Sequence, residues 1–138
     1  MDVAKYRAIF LEEASEHLEE MSRGLLELER DPARAEAIDL VFRMAHSIKG
    51  MAASLAYDAI AEVAHRLEDR MQEARSAGRV DEARLARLFK GLEGLEAMVG
   101  AVRDGGTGPA LDPDLLAALA APEAPGAPPP PKKALRPR

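Results

Sequence analysis

The placement of proline constrains this chain more than any other feature. Of its ten prolines, only Pro32 lies before residue 109, and nine fall between Pro109 and Pro137. Inside a helix, proline removes a backbone hydrogen bond and clashes with the preceding turn, at a cost of about 3 kcal/mol. The first hundred residues can therefore form long helices with one interruption near residue 32, and the last part cannot. Ala, Leu, Glu and Arg abound, aromatics are 4%, and β-branched residues are scarce. That mixture favours helices and excludes an all-β fold.

A length of 138 residues suits one modest domain, and 47% hydrophobic with 31% charged residues allows a packed core. The net charge is −5, and all of it belongs to residues 1–103, with 15 basic against 20 acidic side chains. Wrapping nucleic acid needs clustered cations, so an acidic chain is a poor candidate for it. The chain has no Cys, which excludes disulfides, thiolate metal sites and Cys nucleophiles. The start, MDVAKYRAIFLEEASEHLEEM, lacks a basic flank followed by an apolar run, and no apolar stretch approaches membrane-spanning length. The expectation is a soluble, cytoplasmic protein with no membrane insertion and no nucleic-acid partner.

Four helices fit the first part. One runs from about Asp2 to Glu29, with an apolar stripe of Val3, Tyr6, Phe10, Ala14, Leu18, Met21, Leu25 and Leu28. Asp31-Pro32 is expected to serve as N-cap and first-turn proline of a second helix, Pro32 to Ala53. Its stripe is Ile38, Val41, Phe42, Ala45, Ile48 and Ala52. Asp58 is expected to cap a third helix that buries Ile60, Val63, Ala64, Leu67, Met71 and Ala74 and stops at Gly78. Asp81 is expected to cap a fourth, whose Leu85, Leu88, Leu92, Leu95, Val99 and Val102 form a heptad seam ended by Gly105-Gly106. Stripes joined by short loops predict an all-α, up-down-up-down antiparallel four-helix bundle. Asp112-Pro113 would start a short fifth helix through DLLAALAA. The predicted organisation is a bundle over 1–103, a connector with the short helix over 104–121, and a Pro-rich flexible linker over 122–138. The closing APEAPGAPPPPKKALRPR favours extended conformations and reads as a tether to further domains of a longer chain.

His46, in AHSIKGMA, neighbours the buried position Ala45 and so falls on the flank of its stripe. Lys49 and Gly50 follow at three and four residues and share its face. Glycine inside a helix costs roughly 1 kcal/mol relative to Ala, so Gly50 invites a reason, such as close approach of a partner to the backbone beside His46. Lys49 offers a mobile cation for an anion on the imidazole. His65 and Glu68, in AHRLED, fall at nearly the same height as His46 if the second and third helices form a hairpin centred near Ala56. A carboxylate against one imidazole nitrogen fixes the tautomer and leaves the other nitrogen as nucleophile. Plainer readings stand beside these: a lone helical His is more often a surface or packing residue, and His65 with Glu68 could be an ordinary i,i+3 pair. A di-iron bundle needs two Glu-x-x-His pairs, and Glu62-x-x-His65 matches one, whereas Arg43 holds the equivalent place before His46. His17 reads as a solvent-edge residue, and the acidic run Glu12 to Glu20 as a solvated face. No glycine-rich phosphate loop, Ser-His-Asp order or basic-aromatic patch is present.

AHSIKGMAASLAY followed by AHRLEDRM resembles the histidine phosphotransfer (HPt) domain of CheA-type chemotaxis histidine kinases. Phe10 to Ala14, matching F-x-x-E-A, and the run IDLVFRMAHSIKG are similar to that domain's first two helices, and the resemblance covers roughly residues 5–103. The sequence departs at Ala56, where the family usually has Gly before an aromatic. The resemblance implies that His46 accepts the γ-phosphoryl group of ATP from a separate kinase domain and passes it to an Asp of a response regulator receiver domain. It further implies that Lys49 faces the phosphoryl group and that His65 and Glu68 form a hydrogen-bonded network behind the imidazole. Gly50 would give partners access. Under this reading the chain is a phosphoacceptor that holds no cofactor, ATP and Mg²⁺ being bound by the kinase domain. A free-standing phosphorelay carrier and a non-phosphorylated helical interaction module are the alternatives, and the Pro-rich tail favours the kinase over the carrier.

Overall fold

The computed structural model describes residues 2–105 and 113–119, and within them every regular element is helical. The expected flexible linker over 122–138 and residues 106–112, 120 and 121 of the connector lie outside the described residues. Helix α1 spans Val3–Arg30, with Asp2 as its N-cap: Oδ1 accepts the Lys5 N–H at 3.1 Å. Helix α2 spans Ala35–Ser54, later than the expected start at Pro32. Asp31 explains the difference. Its Oδ1 accepts the Ala33 N–H at 3.2 Å and its carbonyl accepts the Arg34 N–H at 3.1 Å, closing a single turn. An Asp side chain satisfied two residues on competes with helix initiation, and Arg34 becomes the N-cap without a side-chain bond.

Helix α3 spans Asp58–Ala77. Its N-cap is Tyr57, not Asp58, which instead places its carboxylate in the first turn, where the helix dipole favours it. Gly78 ends α3 in the left-handed region at φ 80°, its N–H donating to the Ala74 carbonyl. Helix α4 spans Glu82–Gly105 and is capped as expected, with Asp81 Oδ1 accepting the Arg84 N–H at 2.8 Å. All six residues of its predicted seam are buried. Helix α1 packs on α2 and α4, and α3 packs on the same two, which is the ring of an antiparallel four-helix bundle. Phe10, Met21, Leu25, Ile48, Ile60, Leu67 and Leu95 fill its axis. Val3 and Tyr6, expected in the first stripe, are exposed, and Tyr6 borders a shallow groove with Met51 and Leu55 instead of entering the core.

The short helix α5, Pro113–Ala118, docks against α4 and α3. Its Leu115 sits over Gly94, where a Cβ would come within 2.3 Å of Leu115 Cδ2, so the docking depends on a side-chain-free notch. Arg70 of α3 fixes the end of α5 by donating to the Leu119 carbonyl at 2.9 Å. At the other end of α3, Leu55-Ala56-Tyr57 makes the hairpin joint with α2. Ala56 takes φ 63°, and the Tyr57 N–H donates to the Ala52 carbonyl at 2.8 Å. Tyr57 is buried against Phe10, with ring centroids 5.2 Å apart, which anchors the joint to α1.

Candidate functional site

The hairpin sets two helix faces side by side. On α2, Ala45 and Ile48 are fully buried, which rotates His46 and Lys49 to the rim facing α3. On α3, the buried Leu67 does the same for Glu68. His46 Nδ1 lies 2.5 Å from Glu68 Oε2, and Lys49 Nζ donates to Glu68 Oε1 at 2.6 Å. The Glu68 side chain is only 12% exposed, whereas that of His46 is 62% exposed.

The electrostatics settle the tautomer. Burial pushes the Glu68 carboxyl up, but the hydrogen bonds from Lys49 and His46 outweigh it, and the net shift is downward. Glu68 is therefore ionised at neutral pH and can only accept. It follows that Nδ1 of His46 carries the proton and donates it, so in the neutral imidazole the lone pair belongs to Nε2. The arrangement is an exposed imidazole nitrogen with a carboxylate behind the ring and an ammonium within one turn. It can take up an electrophilic group at Nε2 and share the resulting ring charge with Glu68.

Of the residues singled out in the sequence, the structure brings His46, Lys49 and Glu68 together. His65 is exposed on α3, and its Nε2 lies 3.6 Å from Asp69 Oδ1, one turn along the same helix rather than across to His46. Gly50 is exposed, and a Cβ there would meet nothing within 4 Å, so packing within the chain does not require glycine at this position. Glu62, the one match to a di-iron pair, accepts from Arg66 Nε at 2.9 Å. Among the described residues no group of three or more His, Asp or Glu side chains converges as a metal site would need. None of the described helices is long and apolar enough to cross a membrane.

Two residues beside the imidazole escaped a site reading. Phe42, expected in the core stripe, is half-buried and stacks on His46, with centroids 6.4 Å apart and planes 14° apart. Arg75 of α3 covers the same Phe42 ring at 4.4 Å from its centroid. The four-residue spacing of Phe42 and His46 was a visible signal for the first. Arg75, seven residues beyond Glu68, had none without the hairpin register.

The family model described as Hpt domain matches residues 5–105, and the chain belongs to the Hpt domain family. Among its relatives, the chemotaxis protein CheA of Bacillus subtilis is 38% identical over 109 residues, 78% of this chain. The matched region is 16% of that protein's length, so the chain corresponds to a small part of this relative. The CheA phosphotransferase domain from Thermotoga maritima superimposes with a TM-score of 0.70 at 30% identity, covering 75% of this chain and 99% of that one. The fold is also that of the phosphorylated P1 domain of CheA3, solved in complex with CheY6 from R. sphaeroides. That match has a TM-score of 0.75 at 22% identity and covers 83% of this chain and 90% of that one.

Proposed function

We propose that this domain is the phosphoacceptor of a CheA-type chemotaxis kinase, carrying the phosphoryl group on Nε2 of His46. The observation that carries the reading is the bond from Nδ1 to the ionised Glu68, which leaves Nε2 as the nucleophile on an exposed side chain. In the first transfer the Nε2 lone pair attacks the γ-phosphorus of ATP held by the kinase domain. The bond from phosphorus to the bridging oxygen breaks and ADP leaves. The proton on Nδ1 stays in its bond with Glu68, which balances the positive charge that N–P bond formation places on the ring. In the second transfer an Asp carboxylate oxygen of a response regulator receiver domain attacks phosphorus, and the electron pair of the N–P bond returns to Nε2.

Phosphoryl transfer proceeds through a loose transition state, so positioning and charge stabilisation are the main work. Lys49 holds Glu68 in the resting state and is close enough to His46 to meet the phosphoryl oxygens. His65, on the rim with Asp69, tunes the rate or the lifetime of the phosphoryl group without receiving it. Gly50 leaves the α2 surface open one turn from His46, and Tyr6, Ile9, Met51 and Leu55 line a shallow apolar groove between α1 and the C-terminal end of α2 on which a partner can rest. On this reading the kinase domain binds ATP and Mg²⁺, and the transfer takes place in the cytoplasm. The test is incubation of the chain with an ATP-loaded CheA kinase core and γ-labelled ATP. Acid-labile label on the wild type and none on His46→Gln, with helicity unchanged, is the expected result. Absence of label on the wild type would leave a helical interaction module, and normal labelling of His46→Gln would reassign the acceptor.

A further inference from the structure

The bond to Glu68 fixes one point of the His46 ring and leaves one freedom. With Cβ tethered to the helix, the imidazole can still rock about the line from Cβ to the Glu68 oxygen through coupled changes in χ1 and χ2, tilting the ring plane and the Nε2 lone pair. In-line attack on phosphorus requires that lone pair to hold one direction. Phe42, one turn earlier on α2, lies nearly parallel to the imidazole, at 14° and a 6.4 Å centroid separation, within the range of offset aromatic contact. A flat neighbour of this kind restricts the rocking that the hydrogen bond does not.

Phe42 is itself restrained from the other side. The Arg75 guanidinium sits 4.4 Å from the ring centroid, the geometry of a cation–π contact. Asp39 holds Arg75 in turn, with its Oδ1 3.8 Å from Arg75 Nη2, while its Oδ2 accepts from Arg43 Nε at 2.8 Å. Helix α3 thus reaches the imidazole twice, through Glu68 at Nδ1 and through Arg75 by way of Phe42. The two contacts constrain different motions of one ring.

We infer that Phe42, clamped by Arg75, is a positioning residue that sets the plane of the His46 imidazole for phosphoryl transfer. The inference rests on His46 being the acceptor. Its test separates ring order from the hydrogen bond. In the full chain, Phe42→Leu should leave the Nδ1-protonated tautomer of His46 in place, seen by nitrogen NMR. The same variant should lower the order parameter of the His46 ring and slow labelling by an ATP-loaded CheA kinase core roughly tenfold in kcat, at unchanged KM. Phe42→Tyr, which keeps the flat ring, should restore both. Arg75→Gln, at an exposed position outside the core, should give a smaller loss in the same direction with helicity retained by circular dichroism. Wild-type ring order and kcat in Phe42→Leu, or in Arg75→Gln if the first variant fails to fold, would overturn the inference. A His46 that is never labelled would instead overturn the functional reading on which it rests.

Discussion

Across the hairpin of α2 and α3, Nδ1 of His46 lies 2.5 Å from Oε2 of Glu68, whose other oxygen binds Lys49. One carboxylate therefore joins residues 22 and 19 positions apart in the chain. It does so at the rim of the bundle, half in the low-dielectric layer that strengthens such bonds and half open to water. The imidazole is thereby oriented by a group that is itself held by a cation.

Exchange of Glu68 for Gln keeps the shape and removes the charge. The bond to the imidazole ceases to be charge-assisted, and a bond of that kind contributes about 1.5–3 kcal/mol. The initial rate of phosphoryl acceptance by His46 should fall on the order of tenfold or more. Lys49, 31% exposed, remains solvated, so helicity by circular dichroism should be unchanged. A wild-type rate would reduce the contact to a surface coincidence.

Acid should dissolve the same contact. The folded-state carboxyl of Glu68 is held below its ordinary value, so its contribution to stability is present above the unfolded value near 4.3 and is lost as pH falls through the lowered folded value. The stability gap between wild type and Glu68→Gln, from urea titrations, should be larger near neutral pH than below about pH 4, where the Glu68 carboxyl is protonated. A gap that widened in acid would contradict the assigned direction.

Ala56 sits at φ 63° in the joint of the hairpin. An L-residue in that region costs roughly 1–2 kcal/mol, part of which glycine returns through its greater freedom in the unfolded chain. Ala56→Gly should raise stability by about 0.5–1 kcal/mol, a shift of several degrees in Tm. Thermal unfolding with no rise would mean that the joint is not strained.

Gly50 tests access. Its Cβ position is open, and α2 runs through it, so Gly50→Ala should gain up to about 1 kcal/mol of helix stability. Gly50→Leu should keep the fold and slow transfer from the kinase core, because the added side chain stands beside His46 where a partner approaches. Equal transfer rates for the two variants and the wild type would remove Gly50 from the site.

Helix periodicity made the bundle legible before its structure, because burial on one face leaves a three-and-four spacing that does not depend on partners. The ends were less legible. Asp31 can cap a helix or close a turn with the same side chain, and the choice depends on the turn geometry at Pro32. The site followed the same division. His46, Lys49 and Glu68 were visible through spacing and the estimated hairpin centre, since a register of two helices is set by the joint between them. The partners of exposed, flexible side chains were not: His65 turns to Asp69, one helical turn along α3, rather than across to His46. Arg75 reaches Phe42 only because α3 continues past the site at packing distance.

The central claim concerns one atom, and its most direct test is nitrogen-resolved NMR of the phosphorylated chain with ¹⁵N-labelled histidines. A coupling between phosphorus and Nε2 of His46, with Nδ1 still protonated, is the predicted result. Coupling to Nδ1 of His46, or to either nitrogen of His65 or His17, would contradict the account.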